Sequence, residues 1–450
     1  MRSALQFSAF LLGGGILLAG CDGTGTSPDA GSLDEALQAR LTEVSQGEGL
    51  TFFLLPHADE LPEIPQDPRN PLTREKVVLG RLLFHETALM NETRRPEGRF
   101  AASCSACHNA AAGFQAGRRQ GIGEGGMGFG TRGEMRTRDP AYPLADLDVQ
   151  PIRSPAPLNA AYQPVMLWNG QFGATGPNRG TEASWTPGTP KEANFLGYEG
   201  IETQAIAGLS VHRMGAVASS MASTHPVYRA LFEAAFPGAA IDREQAGLAI
   251  AAYERTLLAD RAPFQRWLRG EAAALTEAQK RGALVFFGKG GCSSCHTGPA
   301  LSSMSFHALG MGDLEGAGVF LEGGADPSRP EHLGRGGFTG RPQDAYAFKV
   351  PQLYNLIEAG PLGHGGTFTT LRAVVEYKNA AVPQNARVPL DRLSPLFVPL
   401  GLTATEVDDL VRFLEEGLLD GELDRYVPSE LPSGYCFPVN DPRSKVELGC

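Results

Sequence analysis

The chain has 450 residues, a formal net charge of -11 and 42% hydrophobic residues. This length is sufficient for two domains with separate cores, and the hydrophobic content is that of a globular protein. The excess of negative charge argues against nucleic acid and against anionic lipid headgroups as binding partners.

The N-terminus resembles a secretory signal sequence. Arg2 precedes an apolar run from Leu11 to Leu18, which is too short for a membrane-spanning helix. Small residues then precede Cys21, as in the lipobox of bacterial lipoproteins. Residues 1–21 are therefore predicted to be a signal peptide cleaved before Cys21, with a lipid anchor on that thiol; the alternative is an ordinary signal peptide cleaved nearby. Both predict an exported, periplasmic protein.

Residues 22–49 are rich in Ser, Gly, Thr and acidic side chains. Such a composition buries little apolar surface and is typical of a flexible tether. The folded part of the chain is expected to begin near Leu50.

Two matching pentapeptides are the most informative feature of the chain. In a C-x-x-C-H sequence the two thiols add to the vinyl groups of a haem, and the next residue presents an imidazole to the iron. A zinc site would need further Cys or His at knuckle spacing, and a redox dithiol would need no following His. We therefore predict two covalently bound haems c, with an iron ligand from each pentapeptide. The residues are Cys104, Cys107 and His108 in the first, and Cys292, Cys295 and His296 in the second.

The segments before the two pentapeptides are alike. Residues 79–84 and 281–287 each show a short helical pattern. Thr276 and Thr403 each precede a Gln or Glu by three residues, which predicts two further helix starts. Strand patterns are scarce, and residues 113–190 are rich in Gly and Pro, as expected of a loop around a cofactor. The recurrence predicts a mainly α, loop-rich fold with a duplicated haem domain.

The last two cysteines, Cys436 and Cys450, lie in a tail at residues 427–450. In an oxidising compartment they can form a disulfide; the alternative is two free thiols.

Beyond these motifs, the chain resembles the bacterial dihaem cytochrome c peroxidases and their MauG-type relatives. The similarity extends from about Leu61 to Leu419. It implies two cytochrome-c-like haem domains facing each other: a peroxidatic domain at 50–262 and an electron-transfer domain at 263–426. Family members generally reduce hydrogen peroxide, with electrons from a small donor such as a mono-haem cytochrome c or a cupredoxin. Whether this chain forms a homodimer is left open. The similarity is carried by the haem motifs and by residues 70–84, 253–258, 348–355 and 361–366.

The resemblance places Gln204 above the first haem. The family's acid–base Glu has its best match in His212, although the alignment has a gap there. An imidazole can take a proton from peroxide and return it to the leaving oxygen. The alternatives for His212 are iron ligation and packing. Arg213 is either a group that stabilises the leaving oxygen or a solvated charge.

No histidine lies between His108 and His212, whereas many family members close the first haem with one. The first iron is therefore expected to be open or water-bound at rest, with Met127 or Met135 as the alternative ligand.

For the second haem, the resemblance implies Tyr377 as the distal ligand, as in MauG. A phenolate favours ferric iron. The alternative is a packing role for Tyr377, with Met304 or Met311 as the ligand. Trp168 matches a Trp that lies between the two haems in the family and is expected to carry electrons between them; the alternative is a buried aromatic residue without that role.

His364 matches a family His beside the second haem. Many members also hold a calcium ion between the domains with an Asn side chain and two carbonyl groups. Here the Asn position is Arg153, and Ala359 and Pro361 would supply the carbonyls, so calcium binding is left open.

Three functions follow from these expectations. The leading one is reduction of hydrogen peroxide to water. A MauG-like oxidation of a partner protein's side chains is favoured by the missing loop histidine and by Tyr377. The third is a lipid-tethered electron relay without catalysis.

Overall fold

The computed structural model describes residues 30–321, 326 and 328–450. The signal peptide and the lipobox with Cys21 lie outside them. Within the described residues, short α-helices are joined by 3-10 turns and loops, with two small ribbons: β1 (Gly126–Met127) with β2 (Thr137–Arg138), and β3 (Phe306–His307) with β4 (Phe348–Lys349). The helices are α1 (Ala30–Val44), α2 (Arg74–His85), α3 (Gly200–Val211), α4 (Met221–Thr224), α5 (Pro226–Ala235), α6 (Arg243–Arg255), α7 (Pro263–Leu268), α8 (Glu277–Phe287), α9 (Arg335–Thr339), α10 (Leu371–Ala380), α11 (Ala404–Arg412) and α12 (Pro442–Leu448).

The N-terminal half is built on α6, which packs against both α2 and α3. The side chain of Thr73 caps α2, and that of Asp242 caps α6. Gly80 brings α2 into backbone contact with α6, because a Cβ atom there would lie 1.9 Å from the Ala249 carbonyl oxygen. Phe84, one turn further on, packs 6.4 Å from the ring of His108.

The C-terminal half repeats this arrangement with α8 and α11. Both helices begin with the predicted capping boxes. A Cβ atom at Gly282 would lie 2.0 Å from the Asp409 carbonyl oxygen, and Phe286 packs 6.5 Å from the ring of His296. The same Gly-x-x-x-Phe element thus leads to each haem motif, and the prediction of a mainly α, duplicated architecture is confirmed.

The prediction of a flexible tether up to residue 49 is wrong for residues 30–44, which form α1. Leu33, Leu37 and Leu41 recur every four residues and are buried, and α1 packs against α8. Asp34 is bonded to Lys280 at 2.7 Å. The polar composition concealed an apolar stripe on one helix face.

The tail folds back onto the N-terminal half. Cys436 and Cys450 form a disulfide. The Pro438 carbonyl accepts a hydrogen bond from the Ser103 amide at 3.1 Å, and Val439 forms a β-bridge with Ala102. The tail therefore holds the residues immediately before the first haem motif. Among the helices described, none combines the length and apolar character that a membrane crossing requires.

Candidate functional site

The first pentapeptide forms a tight turn in which the His108 amide donates to the Cys104 carbonyl at 3.0 Å. The ring atom Nδ1 of His108 lies 3.3 Å from the Phe114 carbonyl oxygen. A carbonyl only accepts, so Nδ1 carries the proton and Nε2 is free for a metal. Burial lowers the pKa of His108 to about 4, which keeps the imidazole neutral, as ligation requires.

The second pentapeptide has the same geometry. The His296 amide donates to the Cys292 carbonyl at 2.9 Å. Its Nδ1 lies 3.0 Å from the carbonyl oxygens of Leu301 and Pro351. Nε2 is again left for the iron, and burial lowers the pKa of His296 to about 4.

A cavity of about 420 Å³ opens beside the second pentapeptide and fits a haem. Its walls are mainly apolar, and they include one deeply buried amine, Lys349, which donates to the side chain of Gln163. Burial lowers the pKa of Lys349 to about 7. A haem propionate would supply the negative charge that this amine lacks. A smaller cavity of about 60 Å³ adjoins Cys104, Cys107 and His108.

Helices α3 and α6 form one wall of the smaller cavity. Both Gln204 and His212 line it, so the two predicted distal residues share this cavity with the first haem motif. Gln204 lies on α3, and His212 is the C-cap residue that follows the last turn of this helix. Helix α6 contributes Ile250 and Glu254.

His212 is held by a carboxylate that the sequence did not reveal. Its Nδ1 lies 3.1 Å from both side-chain oxygens of Asp148, which is buried. Because a carboxylate accepts, Nδ1 carries the proton and Nε2 can take one up from the cavity. Burial alone would lower the pKa of His212, but the charge and hydrogen bond of Asp148 outweigh burial and raise it.

Glu254 is a second group that sequence reasoning missed. It belongs to the family-like run 253–258, but no role was assigned to it. Its carboxyl group is buried, lines the smaller cavity and leaves Oε2 without a hydrogen bond among the described residues. Burial and the nearby charge of Glu202 raise the pKa of Glu254 to about 8, so this group is a neutral acid at pH 7.

The other residues that sequence suggested for the first haem, Arg213, Met127 and Met135, do not line the smaller cavity. Arg213 is neither solvated nor directed at the cavity, because it pairs with the buried Glu124 and donates to the Asp146 carbonyl at 2.7 Å. Neither Met127 nor Met135 is among the residues that line the smaller cavity, and Met135 is exposed.

Tyr377 does not line the larger cavity. Its hydroxyl donates to the Leu309 carbonyl at 2.5 Å, and its ring packs against Phe368 and Phe397. Burial raises the pKa of Tyr377 to about 12. The structure therefore contradicts the expectation of an axial role for Tyr377. Of the alternatives, Met311 lines the cavity and Met304 does not.

Trp168 and His364 both line the larger cavity, with ring centres 6.2 Å apart. His364 stacks on Phe348 at 3.7 Å, and its Nε2 lies 3.3 Å from a carboxylate oxygen of Asp313. The indole of Trp168 donates to the Arg153 carbonyl at 2.8 Å. His364 thus shares the larger cavity with Cys292, Cys295 and His296.

The residues expected to hold calcium do not fit that ion. The guanidinium of Arg153 donates to the Ala359 carbonyl, and also to the Arg118 carbonyl at 2.6 Å and the Ala116 carbonyl at 3.1 Å. Arg153 is 1% exposed, and burial lowers its pKa to about 10. No hydrogen bond reaches the Pro361 carbonyl from the described residues. A cationic side chain stands where the Asn ligand was expected and already donates to the Ala359 carbonyl, which argues against a divalent ion there.

Comparison with known proteins agrees with this geometry. A sequence profile of the family described as "Di-haem cytochrome c peroxidase" matches residues 74–273. The chain is 30% identical over 398 residues to the cytochrome-c peroxidase IdrP1 of Denitromonas iodatirespirans, covering 84% of this chain and 90% of that protein. It is 29% identical over 416 residues to the methylamine utilization protein MauG of Methylorubrum extorquens, covering 91% and 93%. A crystal structure of a MauG-like protein associated with microbial copper homeostasis shares the fold, with a TM-score of 0.55 and 24% identity over 86% of this chain and 98% of that one.

Proposed function

The chain belongs to the di-haem cytochrome c peroxidase family and is an oxidoreductase, and we propose that it reduces hydrogen peroxide to water at the haem held by Cys104, Cys107 and His108. The reaction combines one peroxide molecule with two protons and two electrons to give two molecules of water. Haem c supplies the iron at which the oxygen–oxygen bond breaks.

The pairing of His212 with Asp148 carries the proposal. Peroxide must lose a proton from one oxygen and gain one on the other before that oxygen leaves. His212 shares a cavity with His108, and Asp148 fixes its tautomer so that Nε2 is the atom that exchanges the proton. The amide of Gln204 faces the same cavity and is suited to orient the peroxide by hydrogen bonding.

Glu254 supports proton supply at the same site. It is a buried carboxyl group that retains its proton at neutral pH, and one of its oxygens has no other partner among the described residues. Water formation consumes two protons, so a neutral acid in the same cavity as His212 can deliver the second one.

Electrons enter through the second haem in this proposal. Its cavity is lined by Trp168, and the indole of Trp168 is bonded to the backbone of Arg153, which also contacts the loop after the first motif. The electron donor is a small periplasmic protein, a mono-haem cytochrome c or a cupredoxin. Export and a lipid anchor at Cys21 belong to the same proposal.

The test uses the haem-loaded protein and two double variants. The unmodified chain should contain two haems. Cys104→Ala with Cys107→Ala should leave one haem and abolish peroxide consumption, while the matched change of Cys292 and Cys295 removes the other haem and blocks electron entry. Haem content is measured by alkaline pyridine spectra and turnover by oxidation of a reduced donor. One haem in the unmodified chain would disprove the assignment.

A second candidate function is the MauG-like oxidation of protein side chains. The extensive similarity to a MauG protein and the loop without histidine after His108 favour it. Tyr377 does not favour this function, because its side chain lies outside the larger cavity. Peroxide treatment in the absence of donor, followed by mass spectrometry of proteins from the same compartment, separates the two functions: oxidised tryptophan or tyrosine in one partner supports this activity.

A further inference from the structure

Helix α10 places an ionisable side chain on the wall of the larger cavity. Leu371, Val374, Val375 and Lys378 all line that cavity. Their spacing of three, four and seven residues from the first puts them on one helical face. Of these four residues, only Lys378 is polar.

The amine of Lys378 lies close to the second haem motif. Its charge interacts electrostatically with Cys292, Cys295 and His296. Those residues attach the second haem and supply its first axial ligand. The resemblance implied that Tyr377 would line this cavity. Lys378 is the next residue along α10, and its side chain is the one that lines the cavity.

Within the described chain, Lys378 Nζ has neither a hydrogen-bond acceptor nor a carboxylate at ion-pair distance. Its described partner is the ring of Phe397, whose centre is 5.0 Å away. An ammonium group against apolar walls is costly without a compensating contact. In its neutral form, the amine of Lys378 is a nitrogen donor with a free lone pair.

We propose that Nζ of Lys378 is the sixth ligand of the iron in the second haem. On ligation the ammonium loses one proton to solvent, and its nitrogen lone pair forms the bond to iron; no electron is transferred. The inference rests on haem c at Cys292 and Cys295, which is part of the proposed function, but not on the reaction at the first haem.

Two other donors of this cavity, His307 and Met311, are less suited to the role. His307 already has both ring nitrogens at 3.0 Å from serine hydroxyls, those of Ser394 and Ser305. Met311 also lines the cavity, but a thioether packs against apolar groups without needing a partner. The amine of Lys378 contacts only the ring of Phe397 among the described residues, and the iron would give its nitrogen a bonding partner.

Three variants of the haem-loaded protein test the proposal. Lys378→Arg keeps the positive charge but cannot replace the amine as a ligand. Lys378→Met replaces the amine with a thioether, and Met311→Leu is the matched control on the same cavity. Electron paramagnetic resonance and visible spectra of the ferric protein report the ligands, and spectroelectrochemistry reports the potential of the second haem.

We expect Lys378→Arg to lose the low-spin signal of the second haem, Lys378→Met to raise its potential, and Met311→Leu to change neither. A haem content of two per chain verifies that each variant folds. If Lys378→Arg loses haem, the potential of the second haem in Lys378→Met still tests the proposal. A change in Met311→Leu alone would overturn the proposal in favour of Met311. Unchanged spectra in all three variants would overturn it as well. Lys378 would then have another role, such as that of a counter-charge for a haem propionate. Peroxide turnover is measured separately, so a chain with Lys378-dependent spectra and no turnover would refute only the peroxidase function.

Discussion

Replacing His212 with Ala should slow the reaction of the resting protein with peroxide by about 100-fold or more. A positioned acid–base group typically contributes about 10² to 10⁴ in rate, and a 100-fold loss corresponds to about 2.7 kcal/mol of activation free energy. Stopped-flow mixing with peroxide measures the rate directly, and haem content should remain at two. His57→Ala is the matched control, because His57 also pairs with a carboxylate, Asp260 at 2.9 Å, but lines neither cavity.

The contact with Asp148 adds a graded expectation. A hydrogen bond to a charged group contributes about 1.5–3 kcal/mol, so Asp148→Asn should slow the reaction by about 10- to 100-fold. The reaction needs the neutral imidazole, and Asp148 raises the pKa of His212 above its usual value. The rate should therefore fall as the pH drops through this raised pKa, and Asp148→Asn should move that fall to lower pH. Equal rates in His212→Ala and the unmodified protein would refute the acid–base role.

Three further expectations follow. Replacing Glu254 with Gln should slow water formation while the initial reaction with peroxide is retained, which double-mixing kinetics can separate; equal slowing of both steps would assign Glu254 a structural role. Dialysis against a calcium chelator should leave the thermal unfolding temperature unchanged, because the Arg153 guanidinium already donates to the Ala359 carbonyl, whereas Arg153→Met should lower it; a chelator-sensitive unmodified protein would contradict this. Gly80→Ala and Gly282→Ala should each destabilise the fold by about 1–3 kcal/mol, because the added methyl would force apart helices that touch through their backbones; calorimetry showing stabilisation, as for an unconstrained helical glycine, would refute the close packing.

The features that sequence predicted best are those set by local chemistry. The C-x-x-C-H motifs define their own turns, and the capping boxes at Thr276 and Thr403 need only three residues each. The repeated element around Gly80 and Gly282 was recognisable because both copies share one short helical pattern ahead of a haem motif. These patterns were sufficient for the fold class and for the attachment sites.

Residues that act through distant partners were harder to find. Asp148 reaches His212 across 64 positions of the chain, and no local pattern indicates that contact. Glu254 resembles any other acidic residue in a helix until the burial of its carboxyl group is known. Sequence can show which residue types are present, but not which of them share a cavity.

The error at Tyr377 has a different origin. Neighbouring residues on a helix point about 100° apart, so a misplacement by one position exchanges a cavity residue for a core residue. The choice of Tyr377 followed the residue type expected from relatives, whereas the apolar face at 371, 374 and 375 continues to Lys378. Helical phase was the better guide here.

The attachment of the tail to residues 101–103 determines when the N-terminal haem unit can finish folding during synthesis. The N-terminal haem unit is not contiguous in sequence, because its edge before Cys104 is paired with residues near the end of the chain. Synthesis proceeds from the N-terminus, so this edge stays unpaired until the final segment has been made. A chain that stops short of Pro438 would leave the backbone beside its first haem open to proteases, which gives the cell a means of removing incomplete copies.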